Sequence, residues 1–379
     1  MKKKILNKIF SKTLLDPPPD YFILGIIGFI ILFGLVVLSS ASSVISYQKY
    51  SSTYYLLIHQ ITVGVLPGLV LFYILYRVDY HFWKKWSLLI LGGNILLLVA
   101  LFVPGLAASY GYAKSWLSIG GFSLQPSEII KLTLTIYLAA WFSIKTKQDL
   151  QHFRISFVPF VVLLGVVLGL VVLQPDVGTA SIIVVIALTI FFVAGAKILH
   201  LIFFGGMGAA LLTLLIFQAP YRFNRLLVFL HPGTDPEGIG YHLNQAILAV
   251  GSGGWLGRGF GKSIQKFSYL PEVTGDSIFA IIGEEIGFIF SALLIVLFII
   301  LMIKGFKLAS NAPDNFGKYL VVGIITWIIF QSFINIAAMI GLAPLTGVPL
   351  PFISYGGTSL MTLFAAAGLL ANVSRQRHN

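Results

Sequence analysis

The chain contains no cysteine, which excludes disulfides, thiolate nucleophiles, iron–sulfur clusters and cysteine-built zinc sites together. Charge is nearly as scarce. Only 10% of the 379 residues are Asp, Glu, Lys or Arg, against about 25% in an ordinary soluble domain. Acidic residues number 13, so any carboxylate inside an apolar run calls for a physical reason. The seven histidines, His59, His81, His152, His200, His231, His242 and His378, stand at no metal-ligand spacing. A histidine-built metal centre is therefore not expected. Neither a short internal repeat nor inverted symmetry between the halves is visible, which disfavours an inverted-repeat transporter.

What is abundant is apolar sequence: 58% of residues are hydrophobic and the mean hydropathy is +0.94. Apolar runs fall at 21–43, 55–76, 87–104, 127–144, 156–174, 177–195, 198–218, 277–303, 319–340 and 353–372, each near the ~20 residues that cross a bilayer. The expectation is an all-α polytopic membrane protein of ten transmembrane helices, with a large extracytoplasmic loop, 219–276, between helices seven and eight. Residues 1–20 are read as a cytoplasmic N-terminal tail, 21–372 as one transmembrane domain and 373–379 as a cytoplasmic C-terminal tail.

Most basic residues fall in short segments on the side of the N-terminus, among them Lys2, Lys3, Lys4, Arg77, Lys84, Lys85, Lys145, Lys197, Lys304, Lys307, Arg375 and Arg377. The positive-inside rule puts both termini in the cytoplasm. The net charge of +12 thus reads as a topology signal and membrane-lipid contact, with no nucleic-acid partner. Five of the seven outer basic residues, Arg222, Arg225, Arg258, Lys262 and Lys266, share the long loop. Its Tyr, Trp, Phe and Leu content predicts an ordered, functional segment.

Several polar clusters interrupt the apolar runs. In "SWLSIGGFSLQPSEIIKL", Glu128 and Lys131 stand three apart on one helix face, as an ion pair that makes two charges tolerable or as groups facing a cavity. In "LQPDVGTA", Asp176 fits the N-cap of a helix. "SGGWLGRGFGKS" ends like a phosphate loop, but Leu256 stands where a Walker motif needs glycine. A flexible hairpin and a nest of N–H groups for a phosphate remain open. "PLTGVPLPFISYGGTSL", with Ser354, is Pro/Gly-broken backbone that at membrane depth must line protein or a watery cavity. "YLPEVTGDSIFAIIGEEIG" places Asp276 at the mouth of a span, with Glu284 and Glu285 just over two turns deeper.

These segments, "FSLQPSEIIKL", "LQPDVGTA", "GYHLNQAILAVGSGGWLGRGFGKSIQKFSYLPE", "DSIFAIIGEEIG", "GVPLPFISYGGTSL" and "NVSR", resemble the SEDS family (shape, elongation, division and sporulation) in family order across nearly the whole chain. "SIQKFSYLPE" and "IIGEEIG" look closer to its FtsW branch than to RodA. The resemblance implies a peptidoglycan glycosyltransferase polymerising lipid II outside the cytoplasmic membrane, in division or elongation complexes, beside a class B penicillin-binding protein that supplies transpeptidation. The family's key aspartate falls on Asp276. Where the family has His and Thr before it and Phe after, this chain has Thr274, Gly275 and Ser277. Lys131 matches the lysine after the Gln-Pro-Ser-Glu motif that holds Gln125 and Glu128, and Lys114 lies near the arginine that precedes the Trp.

The implied reaction inverts an α-linked donor and expels a lipid pyrophosphate. One base suffices, contributing about 10²–10⁴-fold. The leaving group needs cations rather than an acid. Asp276 is the expected base. Lys131, Glu128, Lys114, Arg222, Arg225, Arg258, Lys262 and Lys266 are the expected substrate-binding groups, and Glu284, Glu285, Gln125 and Ser354 the supports of the cavity. A divalent cation, Mg or Mn, is compatible with this chemistry and no cofactor is required by it. Two further readings stay open: a lipid II flippase, with the buried charges as its pathway, and a scaffold that only recruits a transpeptidase.

Overall fold

The computed structural model describes residues 18–110, 113–119, 122–218, 220–231 and 237–376; the outermost parts of both expected tails, 1–17 and 377–379, lie outside the described residues. Eight helices among the described residues are long and apolar enough to cross a membrane: α1 (Tyr21–Ala41), α3 (Tyr55–Arg77), α4 (Tyr80–Ala100), α7 (Phe153–Val172), α8 (Val177–Ala194), α12 (Ile278–Ser310), α13 (Asn315–Met339) and α14 (Gly357–Arg375). Two more helices fall on expected spans, α5 (Pro126–Ser143), which carries Glu128 and Lys131, and α9 (Ile198–Gln218). Short helices α2 (Ser43–Tyr50), α6 (Lys147–Gln151), α10 (Pro220–Leu230) and α11 (Tyr241–Ser252) join them.

The starts of these helices follow from capping. Asp20, Asp79, Asp176 and Asp314 each accept backbone N–H bonds at the N-cap of α1, α4, α8 and α13. Asp176 therefore has the structural role expected of it. Pro126 opens α5, where a missing N–H costs nothing. α13 is apolar over most of its length, is buried on nearly all sides, and carries Gln331 and Asn335 inward. It packs against α5, α8 and α12, while α14 lies along α3.

The expected helical class holds, with local additions. Between α4 and α5, β1 (Ala107–Tyr110), β2 (Ala113–Ile119) and β3 (Phe122–Leu124) form a small antiparallel sheet in the order β1-β2-β3. Its strands are too short for their alternation to stand out between Gly-rich turns. The expected loop 219–276 holds two helices, α10 and α11. Finally, α14 runs to Arg375, inside the expected tail, because Asn372 donates from Nδ2 to the carbonyls of Leu75, Tyr76 and Val78 and so draws the helix end into the bundle.

Candidate active site

Asp276 lies in the turn before α12, half-buried, with its backbone held from three sides. Asn335 of α13 donates from Nδ2 to the Asp276 carbonyl at 2.7 Å and to the Val348 carbonyl at 2.8 Å. Ser354 Oγ donates to the Gly275 carbonyl at 2.6 Å, and the Tyr355 N–H to the Thr274 carbonyl at 2.8 Å. The broken 344–356 segment thus acts as the clamp for the aspartate loop. Ser354, one of the expected supports, bonds the aspartate loop, and Asn335 joins it there without having been singled out in the sequence.

The carboxylate faces Gly347, where a Cβ would stand 3.9 Å from Oδ2. Gly347 has φ +71°, a left-handed conformation that glycine adopts without strain, and it sets no side chain against the carboxylate. On the other oxygen, Ser277 Oγ lies 3.4 Å from Oδ1 and donates to the Pro271 carbonyl at 2.8 Å. His242 of α11 brings Nε2 to 2.7 Å of the same hydroxyl. A histidine from another helix thus reaches the residue next to Asp276 through the Ser277 hydroxyl. The seven histidines gave no hint of this, since only folding brings 242 to 277.

Electrostatics mark the same place. Burial pushes the Asp276 carboxyl up to about 6, while the Arg225 guanidinium pulls it down. Burial first, then Arg225, lowers His242 to about 4, so the imidazole is neutral. Glu272 is raised by burial and then by Asp276, against pulls from His242 and Lys49. Arg225 also donates to the Leu345 carbonyl at 3.2 Å. Of the expected substrate-binding cations in the loop, Arg225 is the one the described structure brings to Asp276. Lys49, at the end of α2, joins the surroundings of Glu272 without having been expected there.

Lys131 is fully buried. Its Nζ donates to Glu128 Oε1 at 2.7 Å and Gln331 Oε1 at 2.9 Å and sits 5.1 Å from the Trp327 ring centre. Gln331 donates onward to the Pro349 carbonyl at 2.9 Å. Gln331 and Asn335 are one turn apart on α13, so this pair lies about 6 Å along the helix from the aspartate clamp. Glu128 keeps Oε2 buried with no partner among the described residues. Gln125 caps this corner by donating its N–H to Thr358 Oγ1 at 3.2 Å.

The other loop cations whose side chains are described lie away from Asp276, by the partners they have. Lys266, only 4% exposed, donates to Glu285 Oε1 at 3.0 Å, Ser40 Oγ at 3.0 Å and the Gly261 carbonyl at 2.7 Å. Arg258 Nε stands 3.8 Å from Glu284 Oε1. Lys262 is exposed on the same turn. The side chains of Lys114 on β2 and Arg222 on α10 lie outside the described part of the structure.

Glu284 and Glu285 explain the glycine loop. Glu285 accepts from the N–H groups of Gly261 and Ser263 and from Ser40 Oγ, and Glu284 from the N–H groups of Ile264 and Gln265 and from Ser263 Oγ. The N–H nest is filled by the protein's own carboxylates, which ends the phosphate reading. The loop also splices into α12. At Gly287 the helix breaks (φ +78°, ψ −176°), a conformation essentially reserved for glycine. Arg258 and Gly259 donate to the carbonyls of Glu284 and Glu285, while Phe288 and Ile289 donate to those of Gly254 and Trp255. These four bonds pair backbone groups that the break frees, the condition for broken helix inside an apolar bundle.

Among the described residues no three of His, Asp and Glu gather as a metal-ligand set. A divalent cation arriving with a pyrophosphate would find Glu272 beside Asp276; Mg²⁺ often takes only one or two carboxylates plus substrate oxygens.

A polytopic helical membrane protein with a carboxylate poised at one end of its bundle is the class these features define. Comparison with known proteins narrows it. The family model for FtsW, RodA and SpoVE, described as cell cycle protein, matches residues 21–379, and the chain belongs to this family. Stage V sporulation protein E of Bacillus subtilis (strain 168) is 40% identical over 94% of this chain and 97% of its own. A probable peptidoglycan glycosyltransferase FtsW from Geobacter sp. (strain M18) is 36% identical over 94% and 96%. Among solved structures, a peptidoglycan synthase complex, described as coordinating polymerization and crosslinking, superposes with TM-score 0.78 at 26% identity, covering 95% of this chain and 98% of that one. The rod shape determining protein RodA of Thermus thermophilus gives 0.71 at 25% identity, covering 97% and 100%.

Proposed function

We propose that this protein is a peptidoglycan glycosyltransferase that polymerises lipid II at the outer face of the bacterial cytoplasmic membrane. Asp276 takes the proton of the acceptor hydroxyl as that oxygen attacks the anomeric carbon of the donor. The configuration inverts, and undecaprenyl pyrophosphate departs. Arg225 neutralises charge growing on the pyrophosphate, and the Lys131–Glu128 pair holds the floor beneath the clamp. The observation that carries this reading is the Asp276 carboxylate, raised toward neutrality by burial and faced by a glycine that sets no side chain against it. A base with its pKa near the working pH accepts a proton most effectively.

The ten long helices are read as ten spans, with both termini cytoplasmic and the 219–276 segment outside. A class B penicillin-binding protein is the proposed transpeptidase partner, within a division or elongation complex. The related synthase complex and the FtsW relative support this reading. The flippase alternative has less support: Lys131 and Lys266 are closed into separate ion pairs with Glu128 and Glu285 instead of forming a chain of charges across the bundle. The test is purified protein in detergent with lipid II. Glycan strands form with the native chain, and Asp276→Asn abolishes them while the protein stays folded. Strand synthesis at the native rate by Asp276→Asn ends the proposal.

A further inference from the structure

At the end of the bundle opposite Asp276 lies a cavity of about 420 Å³ between the start of α4 and the end of α5, lined in part by His81, Lys84, Lys85, Ser87, Tyr137 and Trp141. Its position follows from α13. Asp314 caps the N-terminus of that helix and bonds His81, whereas Asn335 near its C-terminus holds Asp276, which separates the two sites by about 30 Å. No step of the proposed glycosyl transfer uses this cavity.

Two lysines with no carboxylate within 4 Å, among the described residues, face this space. Lys84 is half-buried with Nζ 5.6 Å above the Phe316 ring, and Lys85 is exposed. The nearby carboxylates are already engaged: Asp79 and Asp314 each contact a nitrogen of His81 at 2.8 Å, which closes one wall. Tyr137 and Ser87 add hydroxyls. Such a donor set fits an oxyanion bearing one negative charge, and the cavity lies within the usual range for a small ligand.

The helix above selects the kind of anion. Leu88 and Leu89 are 65% and 64% exposed and stand four residues after Lys84 and Lys85, so each lysine has an outward apolar side chain one turn along on its own face. Trp86, 41% exposed, directly follows Lys85, and Trp141 lines the cavity; indole rings favour the membrane interface. A phosphate bound by the lysines would continue directly onto a hydrocarbon-facing surface.

We infer that this cavity is a binding site for the headgroup of an anionic phospholipid, with a phosphodiester on Lys84 and Lys85 and acyl chains along Leu88 and Leu89. Basic pockets between membrane helices recognise such headgroups. The site would make the protein's stability respond to the charge of the surrounding membrane. It stands apart from the proposed activity and is testable without it.

The test is native mass spectrometry of the full chain released from mixed phosphatidylglycerol and phosphatidylcholine, with thermal melting against added lipid as a second readout. The native chain retains and is stabilised by phosphatidylglycerol in preference to phosphatidylcholine. K84Q/K85Q lowers that affinity about thirtyfold, the weight of two lysines at a membrane surface, and K84R/K85R keeps it. Lys85→Gln alone, at an exposed position, lowers it about fivefold and serves if the double variant does not fold. Equal retention of both lipids by the native chain, or unchanged affinity in the glutamine variants, overturns the inference. Displacement of the bound lipid by millimolar glycerol phosphate also overturns it, because the ligand would then be a soluble phosphate.

Discussion

Replacing Glu285 by glutamine separates a structural carboxylate from a catalytic one. Glu285 is 3% exposed and accepts at 2.7 Å from Ser40 Oγ, at 3.0 Å from Lys266 Nζ, at 3.0 Å from the Gly261 N–H and at 3.3 Å from the Ser263 N–H. An amide of the same shape has one accepting oxygen, so at least one backbone donor then meets an NH₂ group. The larger effect is on Lys266, which is left as a buried ammonium without its counter-charge. Removing one partner of a buried pair costs about 3–5 kcal/mol, a large share of a total near 5–15 kcal/mol. Glu285→Gln should therefore lower the thermal midpoint in detergent sharply. Glu285→Gln with Lys266→Met should recover more than half of the loss, since the stranded charge is gone. Strand synthesis per folded molecule should remain within a few-fold of native in the double variant. A Glu285→Gln protein as stable as the native chain but without activity would refute this reasoning and make Glu285 part of the chemistry.

Asp276→Asn should raise stability at pH 7. The folded pKa, about 6, lies above the ordinary carboxyl value of 3.8, so ionisation destabilises the fold as pH rises from about 4 to 6. Thermal midpoints of the two proteins should converge as pH falls to about 4 and differ fully above about 7. The rate of the native protein should rise through pH about 6; Arg225→Gln removes a charge that holds Asp276 down, so its rising limb should move to higher pH in a pH–rate series. Gly287→Ala places a Cβ 2.2 Å from the Gly257 N, and melting should show a loss of several kcal/mol, whereas Gly165→Ala, with no neighbour within 4 Å, should stay within about 0.5 kcal/mol.

Hydrophobic periodicity and capping are local properties, so the eight membrane-length helices, the Asp176 cap and the Glu128–Lys131 pairing were legible in the chain, as was the place of Asp276 just before α12. The sequence did not reveal the short sheet, where alternation over three to seven residues is too brief to read.

What the sequence by itself determined is a membrane protein of this family with an aspartate at the head of a span, because apolar runs of bilayer length and their polar interruptions suffice for that. Only the tertiary structure decided what surrounds the aspartate. His242 reaches Ser277 and Asn335 reaches the Asp276 carbonyl across intervals of 35 and 59 residues. The glycine loop, readable as a phosphate nest, binds Glu284 and Glu285 because folding lays it against the break at Gly287. Hydrogen bonds reach about 3 Å and depend on direction, so their partners are settled only when distant segments meet.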